Sequence, residues 1–267
     1  MAIALLAACG SPSARGTIDG SPGGGDGSSS GGGDGSGGPP GQTSIYAHTS
    51  NALYRVDPDT YAVTMVGNFD FSDFTEQMTD LAIDANGQMT GVSYTGVYRV
   101  DPATAHVTEL SSTLARQFNG LSFVPATAIG SSGPDVLIGT DNTDGSVFRV
   151  DPATGATTQI GAMGGSFVSS GDLVSVDGFG TVQTVPGATH DVLVRLAPGS
   201  FAATAIGTDT GFDHIWGVGF WKGKVFGFTD TGQLITIDPN TGAGTVVASG
   251  GPSWWGAAVT TTAPVIP

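Results

Sequence analysis

The stretch that decides the fold is "VYRVDPATAHVTEL", Val97–Leu110, because variants of it recur along the chain. The other copies are "LYRVDPDTYAVTMV" from Leu53, "VFRVDPATGATTQI" from Val147, "LVRLAPGSFAATAI" from Leu193 and "LITIDPNTGAGTVV" from Leu234. The spacings between successive corner positions, Asp57, Asp101, Asp151, Ala197 and Asp238, are 44, 50, 46 and 41 residues. A repeat of this length indicates either a β-propeller or a solenoid.

The contents of each repeat distinguish these two architectures. The second repeat contains the runs "TDLAID", "QMTGVSY", "GVYRVD" and "HVTEL", which are rich in β-branched or aromatic residues and are separated by Gly, Asp and Pro. No apolar pattern of helical period and length occurs in them. Each repeat therefore predicts four short antiparallel strands, which is the composition of a propeller blade.

The two ends of the repeat region predict how the ring closes. The region opens at "SIYAHTS", which reads as a second strand, and ends at "WWGAAVTTT" from Trp254, which reads as a first strand. The last strand would then complete the first blade and remove the open sheet edges. We predict an all-β, five-bladed propeller over residues 42–267. The corner "(L/V)YR(V/I)DPxTG" resembles that of bacterial envelope propeller-repeat proteins, over residues 43–261, and this resemblance implies the same fold.

The Asp-Pro pair of the corner has a structural explanation. Proline fixes φ, and the preceding carboxylate can accept nearby backbone N–H groups in a tight turn. Asp57, Asp101, Asp151 and Asp238 recur at this position. Because every blade except one repeats them, we interpret these residues as structural.

The N-terminal residues differ sharply in composition from the repeats. Residues 10–41 consist almost entirely of Gly, Ser, Pro and a few Asp, which predicts a disordered tether spanning on the order of 30 Å. The preceding "LLAACGS", Leu5–Ser11, resembles a bacterial lipobox. This resemblance implies that residues 1–8 are part of a signal peptide, that Cys9 is lipidated, and that residues 9–41 link the lipid to the domain. An ordinary signal-peptide end is the alternative.

The implied location is the bacterial cell envelope. Gly10 after the cysteine, by resemblance to lipoprotein sorting signals, favours the outer membrane. The formal charge of −15, with no cluster of Lys or Arg, argues against nucleic-acid binding, which requires a basic surface. No cofactor is predicted apart from a possible Ca²⁺ ion.

Aligning the innermost strands predicts a site at the channel mouth. The aligned starts are "QMTDL", "QFNGL", "SSGDL", "HIWGV" and "SWWGA". Strand alternation places the first and third columns on one side of the strand, and the middle column would pack between blades. The first and third columns together are Gln77, Thr79, Gln117, Asn119, Ser169, Gly171, His214, Trp216, Ser253 and Trp255. If that side faces the channel, polar groups and two indoles converge there, either as a ligand site or as a plug.

Acidic residues near this mouth suggest two further chemistries. Asp80 and Asp172 replace a glycine of the other blades, and with Glu76 and His214 they are the candidate catalytic residues of a saccharide hydrolase. An Asx-type turn is the simpler explanation of the two aspartates. The loop "FDFSDFTEQ" contains Asp70, Asp73 and Glu76, whose oxygens could bind Ca²⁺. A solvated acidic loop is the alternative.

Three functions remain compatible with the sequence. The first is a membrane-anchored, non-catalytic binding module that receives a glycan, a peptide or an envelope protein at the mouth. The second is a hydrolase or lyase acting on a saccharide or small ester. The third is a structural spacer or interaction scaffold whose channel is only plugged.

Overall fold

The structure, a computed structural model, describes residues 44–266 and contains five four-stranded antiparallel sheets. The innermost strands of neighbouring sheets contact one another around a closed ring. The protein is a five-bladed β-propeller, which confirms the predicted fold. The predictions for the signal peptide, Cys9 and the linker concern residues that lie outside the described part of the chain.

Twenty strands form the blades. Blade 1 contains β1 (Ile45–His48), β2 (Ala52–Val56), β3 (Val63–Asn68) and β20 (Gly256–Ala258). Blade 2 contains β4 (Asp80–Ile83), β5 (Met89–Val92), β6 (Val97–Val100) and β7 (Val107–Ser111). Blade 3 contains β8 (Gly120–Val124), β9 (Val136–Thr140), β10 (Ser146–Val150) and β11 (Thr157–Ala162), with a 3₁₀ turn at Ala126–Ile129 after β8. Blade 4 contains β12 (Leu173–Val176), β13 (Gly180–Val185), β14 (Val192–Leu196) and β15 (Ala203–Ile206), and blade 5 contains β16 (Ile215–Trp221), β17 (Lys224–Thr229), β18 (Leu234–Ile237) and β19 (Gly244–Ala248).

The C-terminal strand closes the ring as predicted. β20 pairs antiparallel with β1, with His48 opposite Gly256 and Tyr46 opposite Ala258. β20 thus supplies the inner strand of blade 1, and the sheet order is β20-β1-β2-β3. Joining the first and last strands leaves no blade incomplete, which protects the inner edge of every sheet.

The Asp-Pro corners owe their shape to one repeated turn. At the first corner, the Asp57 carboxylate accepts the backbone N–H groups of Asp59 at 2.9 Å and Thr60 at 2.8 Å. These hydrogen bonds hold the pKa of Asp57 below its ordinary value. The residue four positions after the corner Asp or Ala has a left-handed φ in every blade, namely Tyr61, Ala105, Gly155, Phe201 and Gly242. This conformation explains the glycine of the motif.

Alternating strand direction sorts the loops into two faces. The loops that enter β4, β8, β12, β16 and β20, together with the turns between the second and third strands of each blade, lie on one side, which we call the mouth face. The Asp-Pro corners lie on the opposite face. Between the blades, the middle column of the inner-strand alignment contributes Met78, Ile215 and Trp254, whose side chains are fully buried. Trp254 packs edge-on against Tyr54 and Phe228.

Candidate functional site

A cavity of about 300 Å³ opens on the mouth face at the ring axis. Every blade contributes one residue from the third column of the inner-strand alignment, and three further residues complete the wall. The lining residues are Thr79, Asn119, Gly171, Trp216, Trp255, Tyr94, Phe118 and Ser170. We call this cavity the mouth pocket. Its volume lies at the lower end of the range for small-ligand sites.

The wall of the mouth pocket combines aromatic rings with neutral polar groups. Trp216 and Trp255 are half-buried, and Tyr94, in the turn between β5 and β6, remains 47% exposed. The Thr79 hydroxyl donates to the carbonyl of Val92 at 3.0 Å, so it can only accept a hydrogen bond from a ligand. A ligand entering this pocket would therefore meet mainly aromatic surface.

The first column of the alignment lies elsewhere. Within residues 44–266, none of its members lines the mouth pocket. Gln77 and Ser253 are exposed, and the exposed Gln117 approaches the carbonyl of Tyr94 at 3.5 Å. Ser169 is buried. Its hydroxyl donates to the carbonyl of Gly171 at 2.5 Å and accepts from Gln183 at 2.8 Å. The third column of the alignment therefore lines the mouth pocket, and the first column does not.

His214 lies at the rim beside one indole. Its ring centroid is 5.8 Å from that of Trp216, and its Nδ1 is 2.9 Å from a carboxylate oxygen of Asp230. The His214 backbone has a φ of 52°, a left-handed conformation that costs free energy for a residue with a Cβ. The surrounding loop therefore holds the imidazole in a defined position at the entrance.

Asp80 and Asp172 meet on the ring axis. Both residues are fully buried, and their carboxyl groups lie close enough for each to affect the pKa of the other. Asp172 Oδ1 accepts the N–H of Leu173 at 2.6 Å, and its Oδ2 accepts those of Val218 at 3.0 Å and Ala257 at 3.2 Å. These donors belong to the inner strands of blades 4, 5 and 1.

The partner carboxyl links the remaining blades. Asp80 Oδ1 accepts the N–H of Leu81 in blade 2 at 2.8 Å, and the Asp80 carboxyl also interacts with the N–H of Leu121 in blade 3. The five donors of the pair occupy equivalent positions in the five inner strands. We call Asp80 and Asp172 the axial pair. It does more than form a local Asx turn, because it connects all the blades at the centre of the ring.

The axial pair retains a proton more strongly than exposed aspartates do. Burial raises the pKa of both carboxyls well above the ordinary value, and the negative charge of Asp80 raises the pKa of Asp172 further. Two carboxyl groups in contact cannot both ionise readily in a low-dielectric interior. Both carboxyls therefore hold a proton to higher pH than an exposed aspartate does.

A buried histidine lies beside the axial pair. His48 Nδ1 is 2.9 Å from the carbonyl of Thr49, so Nδ1 carries the hydrogen and Nε2 is left as an acceptor. Nε2 lies 3.8 Å from Asp80 Oδ1, which is beyond hydrogen-bonding distance. Burial lowers the pKa of His48 to about 4, so the ring is neutral at physiological pH. Gly256 faces both groups, and a Cβ there would approach Asp80 Oδ1 to 2.6 Å.

The axial pair does not have glycosidase geometry. Retaining glycosidases separate their carboxyl groups by about 5–5.5 Å and inverting ones by about 6.5–9.5 Å, with the substrate between them. Asp80 and Asp172 have no solvent exposure, and their oxygens accept backbone N–H groups of the inner strands, so a substrate has no access between them. The two aspartates are explained by a structural role, since their carboxyls accept backbone N–H groups of the inner strands.

The acidic loop before β4 places its three carboxylates in different surroundings. Both oxygens of Asp70 are engaged, one with His106 Nδ1 at 2.6 Å and one with the N–H of Val107 at 2.8 Å. Asp73 accepts the N–H of Thr75 at 2.9 Å. Glu76 accepts the hydroxyl of Thr95 at 2.6 Å, and together with Asp73 it lines a depression of about 140 Å³ that is separate from the mouth pocket. In the described part of the chain, no group of three or more His, Cys, Asp or Glu side chains is arranged to hold a metal ion.

Sequence reasoning missed four residues of this region. Tyr94, Phe118 and Ser170 line the mouth pocket, and His48 lies beside the axial pair. Tyr94 could have been found by following the β5–β6 turn to the mouth face. Phe118 and Ser170 were assigned to the column between blades, and the contacts of His48 come from the closure of blade 1, which the alignment of inner strands does not represent.

Comparisons with known proteins support the fold and give no family. No family model and no curated protein matches the chain. Among residues 44–266, no helix has the length and apolar character needed to cross a membrane. The fold is shared with 390 chains of solved structures, one of them from a crystal structure of a nidogen/laminin complex. That chain has a TM-score of 0.53 and 7% sequence identity, with 80% of this chain and 97% of that chain covered. At this identity the likeness shows the propeller fold alone.

Proposed function

We propose that this protein is a lipid-anchored binding module of the bacterial cell envelope, which receives a ligand group in the mouth pocket. The observation that carries the binding part is the pocket itself, because every blade contributes a residue to it and two indoles and a tyrosine form much of its wall. Binding requires shape, apolar surface and a few orienting groups, all of which the wall offers.

The envelope location in this proposal rests on the sequence. The lipobox-like "LLAACGS" would attach Cys9 to lipid, and the Gly/Ser-rich residues 10–41 would hold the propeller away from the membrane surface. A protein partner is one source of the ligand group, because a protein side chain or chain end is small enough to enter the pocket. An outer-membrane location follows the same sequence argument through Gly10.

The binding part is tested by thermal unfolding of the full chain with short peptides, saccharides and small amines. A ligand present at 100 times its Kd stabilises the folded state by about 2.7 kcal/mol. We expect Trp216→Ala and Trp255→Ala to abolish the shift. Phe74→Ala is the matched control, because Phe74 is 97% exposed in a loop of the same face and does not line the pocket. A shift that persists in both tryptophan variants would place binding elsewhere and refute the proposal.

The anchoring part is tested separately in a bacterial host. We expect the full chain to partition into the detergent phase of a Triton X-114 extract and to incorporate a labelled fatty acid. Cys9→Ser should return the protein to the aqueous phase, since Cys9 is the only cysteine of the chain. An unlabelled wild-type chain in the aqueous phase would contradict lipid anchoring without affecting the binding proposal.

A further inference from the structure

We propose that the group bound in the mouth pocket is an organic cation, either a free amine or a basic side chain of a partner protein. The inference rests on the proposed function, since it names the chemistry of that pocket's ligand. Three independent features of the described residues support a positive charge: the aromatic wall, the distribution of charged side chains between the two faces, and the axial pair beneath the pocket.

The aromatic wall suits a cation. Trp216, Trp255, Tyr94 and Phe118 all line the cavity, although only two of the five blades place tryptophan in the third column. The negative faces of aromatic rings attract cations within about 6 Å, and tryptophan attracts them most strongly. Aromatic side chains that surround one small cavity are the usual means of binding quaternary ammonium groups in proteins.

The basic side chains divide unequally between the two faces, whereas acidic side chains occur on both. Mouth-face loops of blades 2 to 5 carry acidic residues, among them Glu76, Asp141, Asp191, Asp213 and Asp230. Arg116 is the basic residue of this face in the described range, and it is paired with Asp141 at 2.6 Å and stacked on Phe148. The other Lys and Arg side chains of residues 44–266 lie towards the opposite face, just before the corners or in the β16–β17 turn.

This asymmetry creates a field directed at the pocket. A cleft lined by one sign of charge over low-dielectric walls concentrates the field and raises the local concentration of counter-ions. The lining residues themselves carry no formal charge. A cation in the pocket would therefore be attracted by the aromatic faces and by the field of the surrounding acidic residues, and not by an ion pair with the wall. An anionic ligand would meet repulsion on every approach from this face.

The axial pair adds negative charge below the pocket. Asp80 and Asp172 directly follow the lining residues Thr79 and Gly171 in the sequence. Any ionisation of these two carboxyls places negative charge at the base of the pocket. His48 does not cancel this charge, because its ring is neutral. The backbone N–H groups around the pair stabilise the charge but leave its sign unchanged.

The wall offers few polar side chains to a neutral polyol. Each buried hydroxyl of a saccharide needs a hydrogen-bond partner, or it loses the free energy of its hydration. The Thr79 hydroxyl hydrogen is already donated to Val92, and Gly171 offers no side chain, which leaves Asn119, Ser170 and Tyr94 as the side chains that could hydrogen-bond a ligand. A cation with apolar substituents, by contrast, satisfies the aromatic wall without requiring several directional bonds.

The test compares two ligands of nearly the same shape. Choline carries a trimethylammonium group, and 3,3-dimethylbutan-1-ol replaces that group by a neutral tert-butyl group. We expect the full chain to bind choline roughly 3- to 30-fold more tightly at low ionic strength, as measured by calorimetry or ligand-observed NMR. The preference should fall in Trp216→Ala, Trp255→Ala and Tyr94→Ala, and it should persist in Phe74→Ala. Thermal unfolding of each variant verifies that it is folded.

A second comparison identifies the source of the charge on the ligand. The peptide Gly-Gly-Lys-Gly-Gly is measured against its norleucine counterpart, and preference for the lysine peptide over choline indicates a protein partner. Asp213→Asn should weaken cation binding and reduce its salt dependence, whereas Asp59→Asn on the opposite face should not.

Each result has a definite meaning. Equal binding of choline and its neutral isostere, or cation binding that survives both tryptophan variants, would overturn the inference. Saccharide or apolar peptide binding that depends on Trp216 would overturn it while leaving the proposed binding function intact. Absence of any tryptophan-dependent ligand in both experiments would refute the inference and the proposed function together.

Discussion

Replacing Asp80 with asparagine tests whether the axial pair shares a proton. Asp80 Oδ1 accepts the N–H of Leu81, and within the described residues its buried Oδ2 has no hydrogen-bond partner. An asparagine can keep the first contact through its oxygen and donate its amide hydrogen to Asp172. The variant therefore reproduces the protonated carboxyl without needing a proton from solvent. We expect it to fold with a stability close to that of the wild type at pH 5.

The pH dependence gives the magnitude. An unfolded aspartate has a pKa of about 3.9, whereas the folded pair holds its proton to higher pH. Because the folded state then binds one proton more than the unfolded state, wild-type stability should fall by about 1.4 kcal/mol per pH unit above about pH 5. The fall ends once the pH exceeds the pKa of the folded pair. Asp80→Asn has no such proton to lose, so its stability relative to wild type should rise by the same slope.

The assay is equilibrium urea unfolding between pH 5 and pH 9, followed by tryptophan fluorescence. Asp172→Asn is the matched comparison, because it also removes one carboxyl of the pair but replaces one of two oxygens that both accept backbone N–H groups, so it should be less stable than Asp80→Asn by about 1–3 kcal/mol at every pH. Asp172→Ala leaves three buried N–H groups without acceptors, at a cost of roughly 3–9 kcal/mol. Parallel pH profiles for wild type and Asp80→Asn, or equal losses in the two asparagine variants, would refute the shared proton.

Three further outcomes follow from the same region and its neighbours. NMR titration should show His48 neutral down to about pH 4. Because its folded pKa lies below the unfolded value of 6.5, the free energy of unfolding should decrease by about 3 kcal/mol in total as the pH falls from 6.5 to about 4. Protonation of the folded ring near pH 6.5 would contradict its burial. Gly256→Ala should cost about 1–3 kcal/mol in urea unfolding, since the new Cβ meets Asp80 Oδ1 at 2.6 Å, and an unchanged midpoint would show that the axis can expand. Adding Ca²⁺ or EDTA should leave the thermal midpoint unchanged, because Asp70 and Asp73 are engaged separately; a rise with Ca²⁺ that disappears in Asp73→Asn would show that the acidic loop rearranges around an ion.

The repeat allowed the fold to be predicted from the sequence. Each period carries its own strand pattern and its own Asp-Pro corner, so the information for a blade is local and appears several times. The sequence predicted closure by the last strand, because "SIYAHTS" at the start has the pattern of a second strand and "WWGAAVTTT" at the end has that of a first strand. The pairing of His48 with Gly256 confirms this closure. Alignment of the repeats also identified equivalent positions, and the structure brings Thr79, Asn119, Gly171, Trp216 and Trp255 together around one pocket.

The contacts of the axial pair could not be predicted from the sequence. Asp80 and Asp172 stood out because they replace glycine, yet their roles depend on N–H groups of other blades and on each other. The same limit applies to Ser169, which is buried with Gln183, and to His48 beside Asp80. A repeat specifies what each blade contains, because strand pattern and turn chemistry are set by neighbours in the chain. Only the closed ring determines which side chains meet at its centre, because those contacts join residues that the chain keeps far apart.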